Sequence, residues 1–207
     1  MKPLRPNLIV WVVRCSLGAL FLLYLSVLLR QGMLDGIPPQ FLVINLLLAS
    51  IPMLLVLFAV GLLVEAAMQH LLTHRLTPRM GALLRWTPRI GMIIFAVFLS
   101  LFALDIFGQG YTLWETVVGL TMHLIPTFAL LAVLALAWRW PLVGGVTALL
   151  VAAGFILQFG GGWGDDWPFY LTIVGPQVVI GLLFLTDWRL HDEVQHGVGA
   201  APAVQRT

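Results

Sequence analysis

Long apolar stretches separated by short polar turns run through most of the chain. Six of them approach the roughly 20 residues that an α-helix needs to cross a bilayer. These stretches are residues 8–29, 41–64, 90–107, 113–137, 142–159 and 169–186. Because the bilayer interior offers no water to backbone groups, a helix is the form that satisfies them within each segment. We therefore predict an all-α fold, a polytopic integral membrane helical bundle with six transmembrane helices.

The composition agrees with a membrane protein. Hydrophobic residues make up 60% of the 207 residues and charged residues only 10%, and the mean hydropathy is +1.00. A soluble chain of this length could not bury so much apolar surface. The net charge is only +2 and the basic residues stand at span ends, so we expect no nucleic acid partner. The single cysteine, Cys15, allows no internal disulfide.

Basic residues are distributed unequally between the predicted loops. The segment between the second and third spans carries Arg75, Arg79, Arg85 and Arg89, whereas the three alternate loops carry only Arg30. Short loops rich in Lys and Arg stay on the cytoplasmic side. We therefore predict that both termini are cytoplasmic and that the protein lies in the cell (plasma or inner) membrane.

The same pattern divides the chain into three regions. Residues 1–74 form a two-span hairpin with a basic interfacial extension, residues 75–190 form a four-span domain, and residues 191–207 form a disordered cytoplasmic tail. Within these regions, the basic segment 65–89 is expected to lie on anionic lipid.

A set of polar residues falls within or beside the third and fourth spans. Its members are Asp105, Glu115, His123 and Thr127. A titratable side chain at bilayer depth is costly and is therefore a candidate for function. On a helix, the last three share one face, and His123 lies about 15 Å from the outer end of its span. Either His123 hydrogen-bonds a neighbouring helix, at a residue such as Ser100 or Asn45, or it binds a proton or small ligand in an outward-facing pocket.

Prolines and small residues predict bends and close helix contacts. The prolines that we expect to kink their helices are Pro52, Pro126 and Pro176. Gly144, Ala148 and Ala152 recur every four residues, which gives one helix face on which another helix can approach closely. The pattern leaves open whether that helix belongs to this chain, to another membrane protein or to a second copy in a homo-oligomer.

Several short motifs lie along the four-span region. They are Arg89-Ile90-Gly91, Phe102-Ala103-Leu104-Asp105-Ile106-Phe107, His123-Leu124-Ile125-Pro126, Trp138-Arg139-Trp140, Gly144-Gly145, and Gly175-Pro176 followed by Gly181-Leu182-Leu183-Phe184-Leu185. In these motifs, residues 85–188 resemble a family of small prokaryotic multi-span membrane proteins classed as a domain of unknown function. The resemblance implies a membrane fold and brings no established activity.

The motifs in the sequence bear on which class of function we expect. We find no nucleotide-binding loop, nucleophile elbow, zinc-protease helix or cysteine pair, so we expect no enzyme, no cofactor and no bound metal. We predict a multi-pass membrane protein that serves as a non-enzymatic component or accessory subunit. An alternative is a small transporter, or a proton- or ligand-binding protein with an outward pocket at Asp105, Glu115 and His123. A second alternative is a membrane-embedded hydrolase that uses His123 and Glu115.

Overall fold

The computed structural model describes residues 6–159, 167 and 170–190. Its helices are α1 (Pro6–Leu34), α2 (Pro39–Thr73), α3 (Pro78–Ser100), α4 (Leu113–Arg139), α5 (Pro141–Phe159) and α6 (Gly175–Arg189). The chain continues from α3 into a 3₁₀ segment, Leu101–Gly108, and enters α6 through a π-helical turn, Tyr170–Val174. With these two extensions counted, six helices in the described part of the chain are long and apolar enough to cross a membrane. The predicted all-α, six-span fold is confirmed, and the predicted tail 191–207 lies outside the described residues.

Proline marks the start of several helices. Pro39, Pro78 and Pro141 each stand in the first turn, where the missing N–H has no helical partner to lose. The turn before α3 is fixed on both sides. His74 ends α2 in the left-handed region with φ 50°, and the Thr77 hydroxyl accepts a hydrogen bond from the Met80 N–H at 3.3 Å. These caps end one helix and begin the next within a few residues.

The basic segment 65–89 differs from the expected interfacial helix. It comprises the last turns of α2, the short turn and the first half of α3. Its apolar side chains Ala66, Met80 and Leu84 are buried in a cluster with Leu183 of α6, because both helices extend past the predicted span ends and continue to pack. Three of its arginines are exposed, but Arg89 is buried and unavailable to lipid. Binding of anionic lipid by the exposed arginines stays a prediction.

Helix α6 lies at the centre of the bundle. It packs against α2, α3 and α5, and its contact with α5 is the most extensive between any two helices in the described part. Ile180 and Phe184 enter one apolar cluster with α2, α3, α4 and α5, while Val179 and Leu183 enter a second with α2 and α3. In the most apolar 18-residue stretch of each span, half of the residues of the last span are buried, compared with 6% of those of α1. The helices thus range from a buried centre to a peripheral α1.

Three contacts between antiparallel neighbours lie at one end of the bundle. Arg14 of α1 pairs with Glu65 of α2, and Arg89 of α3 pairs with Asp187 of α6. The indole rings of Trp86 and Trp138 meet edge to face, with centroids 6.0 Å apart. We call this the basic end, because the exposed arginines of segment 65–89 lie there too. Its cytoplasmic location stays a prediction from the loop charges.

Candidate functional site

Glu115 serves to begin a helix. Its carboxylate Oε2 accepts hydrogen bonds from the Thr112 N–H at 2.9 Å and from the Thr112 hydroxyl at 2.8 Å. In return, the Glu115 N–H donates to Thr112 Oγ1 at 3.4 Å. This reciprocal capping box satisfies two backbone donors at the start of α4. The sequence signal was available, since Thr112 and Glu115 have the required spacing before an apolar run.

His123 bonds within its own helix and does not hold a neighbouring one. The ring is exposed, and Nδ1 lies 3.0 Å from the carbonyl oxygen of Gly119, one turn earlier in α4. Since a carbonyl oxygen only accepts, Nδ1 carries the proton in this bond. Neither Ser100 nor Asn45, which the sequence offered as polar neighbours, is its partner in the structure.

A shallow groove of about 390 Å³ lies beside His123. Its remaining lining is apolar and comes from Leu99, Phe102, Met122, Pro126, Phe155 and Ile173. Neither Asp105 nor Glu115 belongs to this lining. Asp105 is exposed on the 3₁₀ segment, whose buried side chains are Ala103 and Ile106. The structure therefore places the three titratable residues separately and does not gather them around this groove.

Thr127 joins two helices. It is buried, and its hydroxyl donates to the carbonyl oxygen of Ala96 in α3 at 3.5 Å, which is the long limit of a hydrogen bond. Thr127 follows the helix-interior Pro126 in α4. The residue therefore contributes to packing of α3 against α4, and it does not line the groove beside His123.

The buried ion pair of Arg89 and Asp187 was not anticipated from the sequence. Arg89 Nη1 lies 3.0 Å from Asp187 Oδ2, and the two side chains are only 6% and 3% exposed. The guanidinium also donates to the Arg85 carbonyl oxygen, and it lies over the Phe184 ring at 5.7 Å from the centroid. Arg89 counted as a loop charge in the sequence, because the predicted span began one residue after it. The structure begins α3 at Pro78 and so encloses Arg89 within the bundle.

A second buried polar side chain on α6 is Gln177. It is fully buried, and in the described part of the chain neither Oε1 nor Nε2 has a hydrogen-bond partner. Leaving a buried polar group unpaired costs about 1–3 kcal/mol. The residue follows the π-helical turn, a kind of irregularity that is often found at functional sites. Packing alone therefore does not explain this glutamine.

The small residues of α5 pack within the chain. Ala148 and Ala152 are 0% and 2% exposed, and Ala148 shares a cluster with Ile180 and Phe184 of α6. A Cβ on Gly144 would clash with the Ala137 Cβ of α4. The face formed by Gly144, Ala148 and Ala152 thus adjoins α4 and α6, and it is not presented to another protein.

The three predicted kink prolines occupy different positions. Pro52 lies inside α2 and Pro126 inside α4, where each removes a backbone donor. Pro176 stands in the first turn of α6, directly after the π-helical turn, so it begins a helix. The irregularity of the last span therefore lies at Tyr170–Val174, before the proline.

These features define a multi-pass membrane protein in which the buried charges bind each other between helices. The chain belongs to the family described as Domain of unknown function (DUF7670), whose model matches residues 75–195, more than half of the sequence. This confirms that residues 85–188 resemble a domain of unknown function. No curated protein and no solved structure gives a significant match to the chain.

Proposed function

We propose that the protein is a non-enzymatic component of the cell membrane, an accessory subunit that binds a membrane protein through α1. The observation that supports this is the free face of α1. This helix packs chiefly on α2, and the residues on its other side are exposed. Those along the free face are Val12, Cys15, Ala19, Leu22 and Ser26, at helical spacing.

The free face of α1 has the composition of a helix contact. Cys15, Ala19 and Ser26 are small, and small residues allow two helix backbones to approach closely in lipid. The larger Leu22 is 68% exposed. The buried charges of Arg89 and Asp187 already bind each other within the chain. Association through α1 therefore requires no rearrangement of the rest of the bundle.

The positions of Glu115 and His123 favour a non-enzymatic role. The Glu115 carboxylate binds Thr112, and the His123 ring binds Gly119. Eight residues of α4 separate the two, which corresponds to about 12 Å along the helix. A hydrolase using both would need them within hydrogen-bond reach of one substrate. Their separate bonds give that alternative no support.

Site-specific photocrosslinking in native membranes tests the proposed subunit contact. We expect a photoreactive residue at Ala19 or Leu22 to give one discrete protein adduct, because a partner helix would cover this face. The same residue at Leu157 of α5, 88% exposed, is the matched control and should react with lipid only. An adduct of twice the 22.8 kDa chain mass would identify a second copy as the partner. Lipid adducts alone at Ala19 and Leu22 would refute the proposal.

The groove beside His123 supports a second candidate function, binding or transfer of a proton or small ligand. Its volume of about 390 Å³ falls in the range of small-molecule sites, about 300–1,000 Å³. His123 is the polar side chain in the lining of the groove, whose other lining residues are apolar.

Proton flux into liposomes tests the second candidate. Because His123 is exposed and bonds only within its own helix, His123→Gln and His123→Leu should leave the thermal unfolding midpoint in detergent nearly unchanged. If the groove carries protons, both variants should lose a flux that the wild-type protein shows. Retention of the wild-type flux by both variants would exclude His123 from the path.

A further inference from the structure

A cleft between α1 and α2 is apolar along most of its length and charged at one end. Its first hollow has a volume of about 330 Å³, and its apolar lining includes Leu17 and Phe21 of α1 with Leu54 and Phe58 of α2. The ion pair of Arg14 and Glu65 belongs to the lining too. Both helices largely precede the residues matched by the family model, 75–195.

A second hollow of about 490 Å³ continues the cleft toward the basic end. The two hollows share Val10, Arg14, Glu65 and Met68. The second one adds the polar side chains of Gln69 and Thr73 together with the Trp11 indole. The combined cleft is thus apolar toward the middle of the membrane and polar toward its surface, and this order matches a lipid molecule lying along the helix pair.

Glycines keep the apolar part of the cleft open. A Cβ on Gly18 would meet no atom within 4 Å, and a Cβ on Gly61 would lie 3.1 Å from Leu17 Cδ1. Both glycines line the cleft. Since a void at a helix contact loses the dispersion contacts of its walls, an acyl chain seated there would restore them. The bilayer supplies such chains at high concentration.

The ion pair favours one kind of headgroup. Arg14 Nη2 donates to Glu65 Oε2 at 2.9 Å, and their side chains remain 67% and 28% exposed. A guanidinium has five N–H donors, and a carboxylate accepts several bonds, so both groups can bind further partners. A phosphoethanolamine headgroup places a phosphate beside an ammonium, which complements arginine and glutamate together. A purely anionic headgroup would be attracted by Arg14 and repelled by Glu65.

We propose that the cleft between α1 and α2 binds a phosphatidylethanolamine molecule, with its phosphate at Arg14, its ammonium at Glu65 and one acyl chain between Gly18 and Phe58. This site is independent of the proposed contact of the free face of α1, which lies on the opposite side of that helix. Its occupant would stabilise α1 against α2, the helix on which α1 chiefly packs.

Native mass spectrometry of the delipidated protein tests the proposal. The probes are phosphatidylethanolamine and phosphatidylglycerol with identical acyl chains, added in equal amounts. We expect the wild-type protein to retain phosphatidylethanolamine roughly tenfold more strongly, the ratio that corresponds to one additional charged contact. Equal retention of the two lipids, or preference for phosphatidylglycerol, would overturn the headgroup assignment.

Two variants locate the binding within the cleft. Glu65→Gln removes the negative charge at nearly constant shape, so preference should change to phosphatidylglycerol. Gly18→Leu fills the apolar part and should reduce retention of both lipids about tenfold. Gly154→Leu on α5 is the matched control, because a Cβ there also meets nothing within 4 Å, and it should retain lipid as the wild-type protein does. Unchanged lipid retention by Glu65→Gln and Gly18→Leu, with unchanged thermal unfolding midpoints, would contradict the proposed site.

Discussion

Replacement of Asp187 by asparagine should destabilise the bundle by about 3–5 kcal/mol, the usual cost of breaking a buried ion pair from one side. The substitution keeps the shape of the side chain and removes its charge. Arg89, only 6% exposed in the pair, would then be a buried charge without its counterion. Unfolding in detergent, followed by circular dichroism against denaturant concentration, measures the change in the free energy of unfolding.

Two further variants test whether burial of the charges determines the contribution of this pair to stability. Arg89→Met combined with Asp187→Leu removes both charges, and it should recover most of the lost stability, because an apolar pair has no desolvation cost. Glu65→Gln breaks the exposed pair with Arg14 and should change stability by no more than about 1 kcal/mol. If Asp187→Asn cost as little as Glu65→Gln, burial would not govern the contribution of the pair.

Introduction of a methyl group at Gly181 should destabilise the contact of α5 with α6 by about 1–3 kcal/mol, as is usual for overpacking. A Cβ at Gly181 would lie 2.9 Å from Leu149 Cγ and 3.1 Å from the Gly145 carbonyl oxygen. A Cβ at Gly145 would likewise lie 3.1 Å from the Gly181 carbonyl oxygen. The two backbones approach each other at these glycines, so a side chain can be accommodated only if the helices separate.

Gly154→Ala is the control for Gly181→Ala and Gly145→Ala. It lies on α5, and a Cβ there meets nothing within 4 Å. Removing glycine from a helix interior favours the folded state by about 0.5–1 kcal/mol. We therefore expect opposite signs, a lower unfolding midpoint in detergent for Gly181→Ala and a slightly higher one for Gly154→Ala. A stabilised Gly181→Ala protein would show that α5 and α6 are not held at this contact.

The sequence allowed the six spans and the family to be predicted, because both depend on local properties. Apolar length defines a span, and short motifs such as His123-Leu124-Ile125-Pro126 carried the resemblance to the family. The predicted ends of the spans were less accurate. The apolar run of the second span ends before Glu65, and that of the third span starts at Ile90. In the structure α2 continues to Thr73 and α3 begins at Pro78, because the additional turns of both helices pack against α6.

The polar contacts required information that one sequence does not contain. Arg89 and Asp187 are 98 positions apart, and no periodicity connects them. His123 was predicted from its depth to face protein or an outward pocket, but depth along a helix does not determine which side faces outward. The exposed ring follows from the packing of α4 on α3 and α5, which only the assembled bundle defines. Glu115 is the exception, since its capping box with Thr112 is local.

The separation of Arg89 from Asp187 also has a consequence for biosynthesis. A ribosome adds about 5–20 residues per second, so the 98 positions correspond to about 5–20 s during which Arg89 has been made and its counterion has not. Over that interval the nascent α3 carries an uncompensated charge, and its favourable location is at the membrane surface or beside the translocation machinery. Arrival of α6 with Asp187 neutralises it. We therefore expect insertion of α6, and not of any earlier helix, to be the event that allows α3 to take its final depth.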